Sequence, residues 1–452
     1  MSIRTAIAGR PLSAADIAHN FEDLHPALGA AEALAESARC LYCYDAPCTQ
    51  ACPTHIDVPG FIKKIHSDNL RGAARVILDA NPLGHSCARA CPVEVLCEGS
   101  CVMNEHERRP VAIGRLQRFA TDALLAHDWK LFQPGKPTGK KVAVVGAGPA
   151  GLACAQDLRR AGHTVVMFEG RKQPGGLNTF GIAQYKLRPD TALAEAKTIL
   201  ELGVELRTGV RIGADLPFDQ LLRDFDAVFL GVGLGDTASL GVPGEDAAGV
   251  VDALSFIEAV KTRPYGSVPV PTRVLVVGAG NTAVDAATQA RRIGAEQVAF
   301  VYRRSEAEAP AYDFELALAR DNGCTFHWLT APVRVQVEGG KVTGLECVKM
   351  SLGAPDASGR RSVAPIAGSE HVLPCDRVIK AVGQTKRVEL LKQVPGIKLD
   401  GAGRVVIDEE GRTGNPKVFA GGDCVNGGKE IVNAAADGKR AAAAISSFLK
   451  GT

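Results

Sequence analysis

"KKVAVVGAGPAGLACAQDLRRAGHTVVMFEG", residues 140–170, reads as a buried strand, a glycine turn, a helix and a second strand. Gly146, Gly148 and Gly151 make a G-x-G-x-x-G at the junction of the first strand and the helix. The first glycine permits the tight turn and the second lets a pyrophosphate approach the backbone. The third lets helix and strand pack closely. Pro149 and Ala150 fill the first helical positions, so the anion meets unsatisfied N–H groups at the positive helix end. Glu169 ends the second strand 23 residues after Gly146, where a carboxylate can accept both ribose hydroxyls. A tight turn alone can explain an isolated glycine triplet; strand, helix and spaced acid together point to a dinucleotide.

The same device recurs at 272–304, "TRVLVVGAGNTAVDAATQARRIGAEQVAFVYRR". Its fingerprint is Gly278-Ala-Gly280-Asn281-Thr282-Ala283, with alanine third. No acid ends its second strand; the chain reads Tyr302-Arg303-Arg304. A carboxylate there would repel a 2′-phosphate, whereas arginines can grip one, so taken alone the pair favours NADPH.

Short apolar runs ending in glycine follow each fingerprint, "DAVFLGVG" at 226–233 and "DRVIKAVG" at 376–383. "AGGDC" then places Asp423 after a strand, where it can bind a ribityl hydroxyl. The closing helix from Ile431 can aim its N-terminus at a flavin ring. Gly176 and Leu177, after the second strand, are further cofactor-binding candidates. From Lys141 onward the chain resembles the flavoproteins with two dinucleotide-binding domains, such as glutathione and thioredoxin reductases. The resemblance implies FAD on the first fingerprint, a nicotinamide on the second, and a nicotinamide domain inserted in the FAD domain. No Cys-x-x-Cys lies in this half. Cys154, Cys324, Cys347, Cys375 and Cys424 read as plain core or surface thiols, so flavin electrons need another exit.

That exit is sought upstream. The chain has 452 residues, 46% hydrophobic and 23% charged, with net charge +2. Roughly three domains are expected, and no charge excess suggests a nucleic-acid partner. The N-terminus lacks a secretory apolar stretch and no run is long enough to span a bilayer, so a cytoplasmic protein without a membrane segment is expected. In such a reducing compartment, thirteen cysteines argue for ligation rather than disulfides. Eight of them lie between Cys40 and Cys101. "CLYCYDAPCTQACP", residues 40–53, supplies Cys40, Cys43, Cys48 and Cys52; Cys87, Cys91, Cys97 and Cys101 follow. Residues before about 135 otherwise read as helices, one capped by Ser13, and "LFQPGKPTGK" at 131–140 reads as a linker.

Four thiolates suit structural zinc, and a zinc-stabilised docking scaffold is the reading that needs no enzyme. The C-x2-C spacing with an x3-C-P ending instead suits two [4Fe–4S] centres that exchange ligands between groups. Here the whole chain resembles the electron-input subunit of bacterial dihydropyrimidine dehydrogenase, and nearly as closely the glutamate synthase small subunit. The resemblance implies one cluster on Cys40, Cys43, Cys48 and Cys101. It implies a second on Cys52, Cys91, Cys97 and Gln117, leaving Cys87 without iron. Glutamine at the last position is the dihydropyrimidine dehydrogenase choice, while the glutamate synthase type has glutamate. Without the resemblance, Gln117 reads as an amide on an apolar helix face that pairs with backbone.

The expected fold is therefore α/β: a helical double-[4Fe–4S] domain (1–138), then FAD-binding parts (139–265 and 379–452) around a Rossmann-like NAD(P)H domain (266–378). The implied function is oxidation of NAD(P)H at FAD, with single electrons passed through two clusters. They would reach a larger subunit carrying FMN and iron–sulfur centres, where uracil or thymine is reduced. A glutamate synthase small subunit or a related NAD(P)H:ferredoxin-type oxidoreductase is the enzyme alternative. The resemblance leans to NADH, against the arginines. No general base is named, because hydride transfer depends chiefly on positioning.

Overall fold

The computed structural model describes residues 3–5, 11–106, 109–356 and 361–451. The chain forms two compact units. One comprises residues 25–179, 186–234 and 386–452; the other comprises 1–24, 180–185 and 235–385. The long middle segment of the second unit thus interrupts the first in sequence.

In the first unit a five-stranded parallel sheet runs Val418–Ala420, Ala227–Leu230, Lys141–Val145, Thr164–Glu169, Glu205–Thr208. The fingerprint strand is central, with the next two strands of the sequence on one side of it and the two later ones on the other. This is the topological switch point at which open α/β sheets bind ligands. Val142 to Val145 and Val165 to Phe168 are buried, as strands covered on both faces must be. The helix Pro149–Arg160 packs against the closing helix Ile431–Lys450. Gly438 permits this approach, since a Cβ there would lie 2.1 Å from the Ala150 carbonyl oxygen.

The same unit holds the cysteine-rich segment. Helices Ala30–Ser37, Val58–His66, Leu70–Ala80, Gly84–Ala90 and Ile113–Ala126 alternate with short loops that carry most of the cysteines. Phe61, Ile62, Ile77, Leu83, Ile113 and Leu116 are almost fully buried among them. Six non-glycine residues among those described have positive φ. Three of these, Tyr42 (51°), Ala46 (37°) and His55 (51°), fall within the first cysteine stretch and its border. Such backbone is strained for residues with a Cβ and persists where its surroundings impose it.

The second unit has a matching parallel sheet: Val250–Asp252, Arg377–Lys380, Arg273–Val277, Gln297–Val301, Thr325–His327. A four-stranded antiparallel sheet, Thr330–Glu338, Lys341–Pro355, Arg361–Pro365 and His371–Pro374, accompanies it. This unit is wider than the 266–378 read from sequence, because Val250–Asp252 and the helix Ala253–Thr262 join its sheet. The helix Ala14–Asn20, capped by Ser13 as expected, also belongs here rather than with the cysteine-rich segment. Its Ile17 and Phe21 are buried in the core around the alanine-rich helix Asn281–Arg292. Asn20 donates to the Arg292 carbonyl at 3.0 Å. Among the described residues no helix is long and apolar enough to cross a membrane.

Candidate functional site

The two fingerprints have the same local geometry. Gly146 and Gly278 take φ of 101° and 130°, and a Cβ on either would lie 2.3 Å from a carbonyl oxygen, of Gly231 and Ala381 respectively. Gly146 donates to the Phe168 carbonyl and Gly278 to that of Val301, which locks each turn to its second strand. Gly148 and Gly280 cap their helices with no side-chain acceptor on the first N–H groups. A Cβ on Gly148 would meet only Gly176 at 3.8 Å, and one on Gly280 only Pro310 at 3.7 Å. That is the clearance a pyrophosphate needs. At the third position, a Cβ on Gly151 would clash with the Gly146 oxygen at 1.9 Å, while Ala283 is buried without exposure.

Around the first fingerprint, Glu169 accepts from the N–H groups of Ala147 (2.9 Å) and Arg171 (2.8 Å), which fixes its carboxylate beside the turn. Gly175 donates to the Ala147 carbonyl, seating the Gly176-Leu177 turn on Gly148. A Cβ on Gly422 would lie 2.9 Å from that of Ala150, which brings the next residue, Asp423, toward the same helix start. Burial raises the Asp423 carboxyl above its usual range, with Lys386 opposing. Ile431 opens the 20-residue closing helix. Lys386 and the Gly422–Asp437 contact, 3.0 Å from the Gly422 N–H, went unread in the sequence. Neither carries a motif signal.

At the second fingerprint, Asn281 accepts from the Tyr312 N–H at 3.2 Å, and Thr282 is exposed. The two arginines separate. Arg304 donates to the Arg361 carbonyl at 3.2 Å, whereas Arg303 is exposed with no hydrogen bond or ion pair to any described residue.

The eight upstream thiols form two groups. Cys40, Cys43, Cys48 and Cys101 line one pocket, walled by Val58, Ile62, Met103 and Ile113. Burial raises Cys40, with Cys43 and Cys101 adding to it, and pushes Cys48 up to about 11. Cys91 is raised by the neighbouring Cys87 thiol, by burial, and by Cys97 and Cys52. Burial likewise raises Cys97, with Glu98, Cys52 and Cys48 adding to it. Cys101 thus joins Cys40, Cys43 and Cys48 at the first pocket, while Cys52 acts on both Cys91 and Cys97.

Gln117 is buried on the helix Ile113–Ala126, and its amide nitrogen donates to the Gly84 carbonyl at 2.8 Å. Gly84 begins the short helix that runs into Cys87 and Cys91. That same helix is held by Glu195, a fully buried carboxylate that accepts from the N–H of His85 (2.8 Å) and of Ser86 (3.1 Å), and from the Ser86 hydroxyl. Burial pushes Glu195 up to about 7 and His85 down to about 3. Glu195 also went unread, since its contact spans 109 residues.

Among the described residues no three His, Cys, Asp or Glu side chains close on a single-ion site. The donors stand in looser sets: four thiols line one pocket, and Cys52, Cys87, Cys91 and Cys97 act on one another. Soft thiolates are the donors that iron–sulfur clusters take, so the residues fit such groups.

Comparison with known proteins agrees. Residues 17–129 match the family described as dihydropyrimidine dehydrogenase domain II, 4Fe-4S cluster, and residues 140–438 match pyridine nucleotide-disulphide oxidoreductase. The glutamate synthase [NADPH] small chain of Escherichia coli is 38% identical over 95% of this chain and 94% of its own. The NAD-dependent dihydropyrimidine dehydrogenase subunit PreT of the same organism is 35% identical over 95% and 97%. Among solved structures, Mycobacterium tuberculosis FprA in complex with NADPH superposes with a TM-score of 0.58. It is 21% identical and covers 70% of this chain and 85% of its own. Thioredoxin reductase from T. acidophilum reaches 0.53 at 22% identity, covering 68% of this chain and 98% of its own. These two show the fold.

Proposed function

We propose, from the premise that this chain belongs to the pyridine nucleotide-disulphide oxidoreductase family in the iron–sulfur form shared with PreT and glutamate synthase small chains, that it is the electron-input subunit of a dihydropyrimidine dehydrogenase. As an NAD(P)H-dependent flavin and iron–sulfur oxidoreductase it takes hydride from the nicotinamide coenzyme. The finer reading is that two [4Fe–4S] centres carry the electrons on to a larger subunit, which reduces uracil or thymine.

FAD, when bound, supplies the conversion of two-electron into one-electron chemistry, and the iron–sulfur groups supply single-electron transfer. The residues serve that chemistry by holding and orienting. The first N–H groups of the helix after Gly148 would meet the pyrophosphate, Glu169 the ribose and Asp423 the ribityl chain. Cys40, Cys43, Cys48 and Cys101 would hold the first centre; Cys52, Cys91, Cys97 and Gln117 the second.

The observation that carries the choice of substrate is the Gln117–Gly84 hydrogen bond. A backbone carbonyl accepts from an amide but repels a carboxylate, so this position is built for glutamine. With its nitrogen engaged, the amide oxygen is the atom left to ligate. The test is reconstitution. The chain alone should reduce ferricyanide with NAD(P)H and leave uracil untouched; adding the partner subunit should confer uracil reduction. Uracil reduction by the chain alone, or glutamine-dependent glutamate formation with a partner, would overturn the reading. The second outcome is kept in view by the 38% identity to glutamate synthase small chains.

For the coenzyme, Arg303, exposed and without a hydrogen bond or ion pair to any described residue, tips the proposal from NADH, where the resemblance leaned, to NADPH. Arg303→Ala should lower kcat/KM for NADPH about tenfold or more and leave NADH nearly unchanged, since a charge-assisted contact is worth about 1.5–3 kcal/mol. Equal losses for both coenzymes would return the reading to NADH.

A further inference from the structure

Cys40 and Cys101 come from different stretches of the chain, yet they line one pocket. A run of hydrogen bonds connects the two. Cys40 follows the helix Ala30–Ser37 closely, and its N–H donates to the Ser37 carbonyl at 3.2 Å. On the last turn of that helix, the buried Glu36 carboxylate accepts from the Ala112 N–H at 2.8 Å and from the Arg109 guanidinium at 2.7 Å. Arg39, the residue before Cys40, forms an ion pair with Glu36. Its guanidinium also donates to two successive carbonyls, that of Arg109 and, at 3.0 Å, that of Pro110. From the other side, Glu98 accepts from the Gly114 N–H at 2.9 Å, and its carbonyl accepts from the Cys101 N–H at 3.1 Å. Ala112 and Gly114 stand at the start of the helix Ile113–Ala126, where the alanine cap offers no side-chain acceptor. The two carboxylates supply the acceptors and the negative charge that such a helix start lacks. Val111 and Ile113, at this same start, wall the pocket of the four thiols.

From this arrangement we infer that Arg39 is a positioning residue for the first centre. Its forked guanidinium fastens the Cys40 stretch to the segment 109–112, and so closes the set of thiols that Cys101 completes. The inference rests on the reading of Cys40, Cys43, Cys48 and Cys101 as ligands of one centre. A planar fork can serve two neighbouring carbonyls and a carboxylate at once, whereas a lysine ammonium brings the same charge without that geometry. Hydrogen bonds from a charged donor are also the stronger kind, and breaking these leaves the buried Glu36 carboxylate without its partner. Without the fork, the Cys101 side is free to move away from Cys40, and a centre that loses its fourth thiolate sheds iron. The second group does not depend on this fork, because its helix Gly84–Ala90 is held separately by Glu195 and Gln117.

The test uses the full chain, purified anaerobically, with variants Arg39→Met, Arg39→Lys and Cys101→Ser. Arg75→Ala is the control: Arg75 lies in the same helical segment but donates to the Leu131 carbonyl, at the linker. Iron, acid-labile sulfide and melting temperature are measured, and each centre is read by electron paramagnetic resonance. Arg39→Met should lose the signal of the first centre and with it about half of the iron, as Cys101→Ser does, while the second signal keeps its wild-type strength. Arg39→Lys should lie between Arg39→Met and the wild type, and Arg75→Ala should keep both signals. A wild-type first signal in Arg39→Met would overturn the inference. Equal loss of both signals in Arg39→Met would also overturn it, marking a general role in the fold. So would a first signal fully restored in Arg39→Lys, which marks charge alone, or selective loss of that signal in Arg75→Ala. A Cys101→Ser variant that spares the first centre, or wild-type protein holding zinc instead of iron, would fail differently, by removing the ligand set on which the inference stands.

Discussion

The two thiol groups come from the same two cysteine stretches, yet the chain builds them differently. The first has Cys40, Cys43 and Cys101 in loops and Cys48 on the short helix Pro47–Gln50, with left-handed backbone nearby, and the residues between them face outward: Leu41 is 60% exposed and Tyr44 completely so. The second contains the buried Cys52 and Cys87 and hangs on a helix whose start is held by the Gln117 amide and by a buried carboxylate. One group is wrapped by a thin apolar loop at the surface; the other is held from several sides by hydrogen bonds.

The largest effect expected concerns the exchange of ligands between stretches. Cys101→Ser should abolish the spectroscopic signal of the first centre only, and Cys91→Ser that of the second only. Loss of the Cys52 centre in Cys101→Ser would break the crossing pattern.

Next comes the carboxylate that holds the second group. Glu195 titrates at about 7 in the folded chain, against 4.5 when unfolded. Between those values the folded state binds more protons, so stability falls as pH rises from 4.5 to 7 and then levels. A shift of this size is worth about 3 kcal/mol at most. Glu195→Gln should flatten that slope in denaturant unfolding measured from pH 5 to 8. An unaltered slope would mean the burial of Glu195 has no energetic consequence.

The smallest effect sharpens the surface side of the comparison. Tyr44→Ala removes an exposed aromatic, the residue type that most often anchors interfaces. Electron delivery to the partner should fall about tenfold, worth about 1.4 kcal/mol, with ferricyanide reduction and melting temperature unchanged. Equal losses with both acceptors would place Tyr44 in the stability of the loop instead.

The dinucleotide folds were legible because each is written locally: glycines at fixed offsets, a short continuous apolar strand, a helix of period 3.6 and an acid or arginine at the strand end. The assignment of thiols to centres was not legible from spacing; it entered through resemblance, and of it the fold shows only that Cys101 shares a pocket with Cys40, Cys43 and Cys48. The Glu195 contact with Ser86 and the placement of the first helix had no local signature. An amphipathic helix with Ile17 and Phe21 says that it will be buried, but not against which core. Val250–Asp252 is three residues long, too short for its pattern to announce the sheet it joins.

The measurement that bears most directly on the whole account is the metal content of anaerobically purified protein. Two four-iron centres require about eight irons and eight sulfides per chain, together with FAD and broad absorbance beneath the flavin bands. Equimolar zinc with no labile sulfide, in a protein coloured by flavin alone, would contradict it.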